Sequence, residues 1–176
     1  MGARLPLLKG ESQGEREFVF TQIDSKAGGA AVPMRAVQNA KYGYIYNPFS
    51  DGEYYYRNNN EGATMAAMNK AAKTDPAIAA RVDVFRYRVP EEFYDLEADP
   101  NCLENLIDEP ELVEVIKSFQ ENLFAQMEKT DDPMLMAFIN RENRAVVDAV
   151  ITKTYGPQKS VKSKQQKMRP GKKSKK

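Results

Sequence analysis

The chain has 176 residues, enough for one ordinary domain with a buried core. It has no histidine and a single cysteine, which excludes imidazole acid–base catalysis, a Cys-His nucleophile pair, an intrachain disulfide and a four-cysteine zinc site. The net charge of +1 averages two unlike parts: residues 158–176 hold nine basic and no acidic residues, and without them 17 basic residues face 25 acidic ones, a body near −8.

In chain order, the opening 1–16 contains Leu5-Pro6-Leu7-Leu8, an apolar stretch too short for a signal-peptide core. No apolar run in the chain reaches membrane-spanning length. Residues 17–23, Glu-Phe-Val-Phe-Thr-Gln-Ile, are apolar and β-branched enough to predict a buried strand. A loop follows over 25–31, with Gly28-Gly29. Alternation over 34–38 and again over 42–47 predicts an antiparallel hairpin, and Asn47-Pro48 with Ser50-Asp51-Gly52 predicts a turn after it.

The alanine-rich 64–73 stretch, with Met65, Met68 and Ala72 at helical spacing, predicts a helix. Asp75-Pro76 stops it and can start a short second one, because proline fits a first helical turn. Residues 92–96 predict a fourth strand. Pro110 opens a helix with Glu111 and Glu114 in its first turn, where carboxylates suit the dipole. Its expected apolar face is Leu112, Ile116, Phe119, Leu123 and Met127. Asp132-Pro133 begins a last helical region, with Leu135, Ile139, Val146 and Val150 expected on one side. The sum is an α+β domain: a small antiparallel sheet of four strands packed by helices. The basic tail is too poor in apolar residues to fold and is expected to be disordered.

Several groups invite a chemical reading. Cys102 has no histidine to activate it and reads as a packing residue. Glu91, Glu92, Asp95, Glu97 and Asp99 hold enough oxygens for calcium, yet the run lacks the glycine of a calcium loop and reads as turn and solvated edge. Tyr54-Tyr55-Tyr56-Arg57 could stack on a sugar or a base; as alternating strand residues they would instead bury Tyr55 and expose its neighbours. The lysine-rich tail offers sequence-independent affinity for sulfated glycans or other polyanions.

Six blocks carry a family resemblance: Leu5-Pro6-Leu7-Leu8-Lys9-Gly10; Phe18-Val19-Phe20-Thr21-Gln22; Pro33-Met34-Arg35-Ala36-Val37-Gln38 with Lys41-Tyr42-Gly43-Tyr44-Ile45-Tyr46-Asn47-Pro48; Ala80-Arg81-Val82-Asp83; Tyr87-Arg88-Val89-Pro90-Glu91-Glu92 leading into Phe93-Tyr94-Asp95-Leu96; and Thr130-Asp131-Asp132-Pro133. In this order they resemble the C-terminal subdomain of sulfatases of the alkaline-phosphatase-like superfamily, above all the heparan N-sulfatase (N-sulfoglucosamine sulfohydrolase) branch. The resemblance implies residues 17–157 as that subdomain, 1–16 as the remnant of a connection to a catalytic domain, and 158–176 as the tail. It implies a parent reaction of sulfate-ester or sulfamate hydrolysis on a sugar, in a family often secreted, periplasmic or lysosomal.

The resemblance also implies what this chain does not supply. The family's nucleophile is formylglycine, made from the cysteine of Cys-x-Pro-x-Arg, whereas Cys102 sits in Asn-Cys-Leu-Glu-Asn. Formylglycine and calcium would belong to a catalytic domain, so no cofactor is expected in this chain and no activity from it alone. Where some members carry His-His-Glu before Pro-Met-Arg, this sequence has Ser25-Lys26-Ala27. Gln22, Lys26 and Arg35 are the positions expected to meet a sulfated sugar, with Lys26 and Arg35 alternatively read as surface or ion-paired residues. The expected partner is a sulfatase catalytic domain or a second copy of the chain, not a membrane. The rival expectation is a stand-alone binding or structural module whose tail holds polyanions.

Overall fold

A computed structural model describes residue 10 and residues 17–25, 31–52, 54–56 and 62–157. The expectations for 1–9, Lys26, Arg57 and the 158–176 tail fall outside the described residues. Four antiparallel strands form one sheet in sequence order: β1 (Val19–Ser25), β2 (Ala31–Gln38), β3 (Tyr42–Tyr46) and β4 (Glu91–Asp95). The α+β class and the hairpin follow the sequence reading. Asn39 closes that hairpin, its Oδ1 accepting the N–H groups of Lys41 and Tyr42.

Cross-strand register sorts the side chains between two faces. Phe20 lies opposite Val37, Val37 opposite Tyr44, and Tyr44 opposite Phe93, so these residues share a face. That face is the core, with Val37, Tyr44, Tyr46 and Phe93 fully buried. It is covered by α3 (Val113–Lys129), which follows a 3-10 turn at Pro110–Leu112. Ile116, Phe119, Leu123 and Met127 are buried as their spacing predicts, and Phe119 meets Phe18, Tyr42 and Phe93 edge to face. On the other face, Val19 and Ile23 of β1 are 44% and 48% exposed, with Met34, Ala36 and Ile45 half-buried beside them.

Between β3 and β4 lie α1 (Ala63–Ala71) and α2 (Pro76–Arg86). Asp75 caps α2 as expected, its Oδ1 accepting from the N–H groups of Ala77 and Ile78, with Pro76 in the first turn. The outer edge of β4 is sealed by Asn105 and Leu106: Asn105 accepts the Phe93 N–H and donates to the Glu91 carbonyl, and the Leu106 N–H donates to the Phe93 carbonyl.

The last helical region departs from the sequence reading. It is two helices, α4 (Leu135–Ile139) and α5 (Arg144–Tyr155), separated by a turn over 140–143. Ile139 is exposed, Val146 and Val150 are half-buried, and Ala137, Phe138, Val147 and Ile151 fill the core. The break resets the helical phase, so one 3.6-residue stripe cannot run through both. Asn143 starts α5 afresh by accepting the Val146 N–H.

The end of α3 is a reversal built on a left-handed residue. Asp131 has φ 51°, its N–H donates to Glu128 O, and the Asp132 N–H reaches back to Met127 O. A glycine pays no Cβ penalty in that conformation. Asp131→Gly should therefore raise stability by about 1 kcal/mol, read as a higher urea midpoint with unchanged m; a lower midpoint would show that the Asp131 side chain holds the turn.

Candidate functional site

The polar centre of the molecule is Arg35, on the core face of β2 and only 2% exposed. All five of its N–H groups are directed at protein acceptors. Nε donates to Asp132 Oδ2 at 2.5 Å, Nη2 to Asp132 Oδ1 at 2.9 Å and to Asp24 Oδ1 at 2.7 Å, and Nη1 to the carbonyls of Met34 and Ile23. The fork on Asp132 is bidentate, the strongest geometry open to an arginine and a carboxylate. Burial alone would lower the Arg35 pKa, but the bonds to Asp132 and Asp24 outweigh it and raise it.

Asp132 also accepts the Met134 N–H, so one carboxylate both holds the sheet and turns the chain from α3 into α4. Asp24 has a second partner in Tyr155, whose hydroxyl donates to Oδ1 at 2.7 Å. Burial raises the Tyr155 pKa first, the bond to Asp24 adds to it, and the phenol is pushed up to about 12. Burial opposes ionisation of Asp24, yet Tyr155 and Arg35 together hold its pKa below the usual 3.8.

A carboxylate with a depressed folded pKa stabilises the fold above its unfolded pKa and loses that contribution as pH falls through the folded value. Asp24→Asn should accordingly destabilise the protein at pH 7, with the gap to wild type narrowing as pH drops below 3.8. Urea midpoints at pH 7 and pH 3 measure this, and a gap that does not narrow would remove Asp24 from the acid response.

A second buried centre sits on the opposite face of the sheet. Glu92, 2% exposed, takes a two-pronged bond from Arg88, at 2.9 and 2.6 Å, and further bonds from Asn47 Nδ2 and the Tyr94 hydroxyl. Its neighbour Glu91 is held on the core face by Tyr44, Gln120 and Arg141. Two more members of the acidic run cap backbone: Asp95 accepts from the N–H groups of Glu97 and Ala98, and Asp99 from those of Leu103 and Glu104. Cys102 has its thiol pKa raised by burial and then by Asp99, the wrong direction for a nucleophile, and its carbonyl holds Arg81.

The structure brings two of the three expected sugar contacts together. Gln22 and Arg35 are register partners, and both line a cavity of about 240 Å³ between β1 and the end of α3, with Thr130 and Asp132. Gln22 is exposed there, whereas Arg35 is the internal ion pair of the alternative reading, with its donors occupied. Lys26 falls outside the described residues. The tyrosine run is not a strand, and the expected alternation is absent: Tyr56 is buried, while Tyr54 and Tyr55 are both half-buried. The turn held by Asp51, whose Oδ1 accepts the Tyr54 N–H, breaks the alternation. Sequence reasoning missed Asp24 and Tyr155 altogether, since nothing local marks a contact across 131 positions.

No protein-family model matches this chain, and no curated protein matches it. Among solved structures it is similar to a 2-O GAG sulfatase, with 18% identity and a TM-score of 0.43 over 73% of this chain and 20% of that one. It is similar to the same degree, 18% identity and a TM-score of 0.43, to a protein of Bacteroides thetaiotaomicron VPI-5482 assigned as a sulfatase, over 72% of this chain and 19% of that one. The chain thus spans about a fifth of the length of these solved structures. Among the described residues no helix is long and apolar enough to cross a membrane.

Proposed function

We propose that the chain is the non-catalytic C-terminal subdomain of a heparan-N-sulfatase-like sulfatase, acting by packing against a catalytic domain that supplies the formylglycine and calcium. The observation that carries this reading is how the motif residues pair. Arg35 of Pro-Met-Arg is bonded to Asp132 of Thr-Asp-Asp-Pro, 97 positions away. Asn47, at the end of the Tyr-Gly-Tyr-Ile-Tyr-Asn block, is bonded to Glu92 of Pro-Glu-Glu, as is Arg88. Blocks singled out separately along the chain are thus partners in two buried networks. They fasten a sheet to its surroundings, the part that a packing subdomain would play.

The parent reaction is hydrolysis of a sulfate ester or sulfamate on a sugar. Gln22 and Lys26 are the groups of this subdomain that would face that sugar, and Arg35 fixes the strand that carries Gln22. The half-open outer face of β1, β2 and β3, with Val19, Ile23, Met34, Ala36 and Ile45, is where a catalytic domain or a second copy would lean.

The purified chain should not hydrolyse aryl sulfates or N-sulfoglucosamine, with or without calcium. A catalytic domain with Cys-x-Pro-x-Arg, encoded beside this chain in its own genome, should co-elute with it on co-expression, and Ile23→Asp should abolish that co-elution. Turnover by the chain alone that is lost in Cys102→Ala would overturn the reading, and so would the absence of any such neighbouring domain. The latter result would favour the stand-alone module, whose mark is heparin retention that disappears when 158–176 are deleted.

A further inference from the structure

The two edges of the sheet are built differently. On β4 the outward backbone groups are taken up by Asn105 and Leu106. On β1, the other edge, the ladder itself tells which groups look outward. The Asn39 N–H donates to the Tyr42 carbonyl across the hairpin turn, and bonded pairs alternate along an antiparallel ladder. Arg35 and Val37 therefore turn their backbone groups toward β3, and Met34, Ala36 and Gln38 turn theirs toward β1, where Ile23, Thr21 and Val19 are the register partners. The same alternation on β4 makes Glu91 and Phe93 the outward residues, and these are the two that Asn105 bonds. On β1 the outward N–H and carbonyl groups belong to Phe20 and Gln22, and among the described residues none bonds them. Edge strands are ordinarily blunted by lysine, proline, a bulge or a covering segment. The run Val19-Phe20-Thr21-Gln22-Ile23 has no charge and no proline, and its register slips only past Ile23.

We propose that β1 is an interface with a second copy of this chain, the two strands pairing antiparallel about a two-fold axis at Thr21. In that register Phe20 lies opposite Gln22 of the second copy, and the symmetric pair repeats it, so that every outward group of these residues is bonded. On the outer face Thr21 meets Thr21, and Val19 meets Ile23, all at the closer, non-hydrogen-bonded positions. Threonine pairs and β-branched pairs stabilise a sheet at such positions. Val19 and Ile23, 44% and 48% exposed in the single chain, gain cover from each other. Asp24 falls opposite Phe18 and Glu17 opposite Ser25, so no two carboxylates face directly. An axis at Gln22 would instead set Val19 against Ser25 and Phe20 against Asp24, losing the apolar pairs. The strand is thus self-complementary in hydrogen bonds, side chains and charge. The pairing stands whether or not the chain belongs with a catalytic domain.

Sedimentation velocity of the full chain up to about 300 μM should show a monomer–dimer equilibrium, weak because a single strand pair is a small interface. Thr21→Lys changes an exposed position and sets like charges together at the axis. It should weaken the dimer about tenfold or more and leave the urea midpoint where it was. Cross-linking with oxidised glutathione, in a Cys102→Ser background, reads the register. Thr21→Cys should give a disulfide-linked dimer, because opposed residues of a non-hydrogen-bonded pair lie about 4.5 Å apart at Cα, within disulfide reach. Val19→Cys and Ile23→Cys should each link poorly alone and well when mixed. Four results would overturn the proposal: a chain still monomeric at the highest concentration, a dimer indifferent to Thr21→Lys, Val19→Cys alone linking as well as Thr21→Cys, or a dimer that forms only when residues 1–16 are deleted. The last would give the edge to the chain's own N-terminal segment.

Discussion

Asp132→Ala should cost the fold about 3–5 kcal/mol, the range for breaking a buried ion pair from one side. The substitution leaves Arg35, 2% exposed, with two emptied N–H groups and only Asp24 as a charged partner. It also removes the acceptor for the Met134 N–H at the start of α4. Replacing both members, Arg35→Met with Asp132→Leu, should cost less than the two single changes added together, because no uncompensated charge then stays buried. Urea unfolding of the two singles and the double measures the coupling. Costs that add without remainder would mean that the pair is not the link between β2 and the α3–α4 turn.

Phe119→Ala should cost a similar amount, about 3–5 kcal/mol. Its ring is the apolar link between α3 and the sheet, meeting Phe18 from the chain before β1, Tyr42 from β3 and Phe93 from β4. Removing it strands three aromatic edges around one cavity and leaves α3 attached through Ile116, Leu123 and Met127. Phe119→Leu fills most of the space and should cost clearly less. Thermal or urea unfolding separates the two, and equal costs would show that ring geometry rather than volume holds the layer.

The hairpin was legible because its signals are local, whereas the strand over 17–23, expected to be buried, is a mostly exposed edge. Alternation in 34–38 and 42–47, with Asn39 to close the turn, predicts the hairpin, and the register places Val37 and Tyr44 inward together. The buried stripe of α3 was legible for the same reason: Ile116 to Met127 keep one phase over three turns. The phase was lost at Asn140–Asn143, where a turn no longer than one helical repeat rotates α5 against α4 and moves burial from Val146 to Val147. Tyr54–Tyr56 failed through turn chemistry, since Asp51 folds the segment before any strand can form. The candidate site was half legible. Arg35 and Asp132 each stood out in a motif, but that they meet is a fact of tertiary structure. Asp24 and Tyr155 carried no local mark.

The Asn105 seal on β4 has a consequence for how this protein can assemble. Growth of a sheet from chain to chain needs a donor edge and an acceptor edge on every copy, as in a fibre. Here one of the two is already occupied by the molecule's own amide side chain and the Leu106 backbone. Among the described residues the edge left for pairing through strands is β1, and two copies meeting there would use up that edge of each. The result is a closed two-fold pair that cannot propagate. Losing the Asn105 side chain would free the Phe93 N–H and the Glu91 carbonyl while the Leu106 backbone still covered the Phe93 carbonyl, so that edge would open only in part.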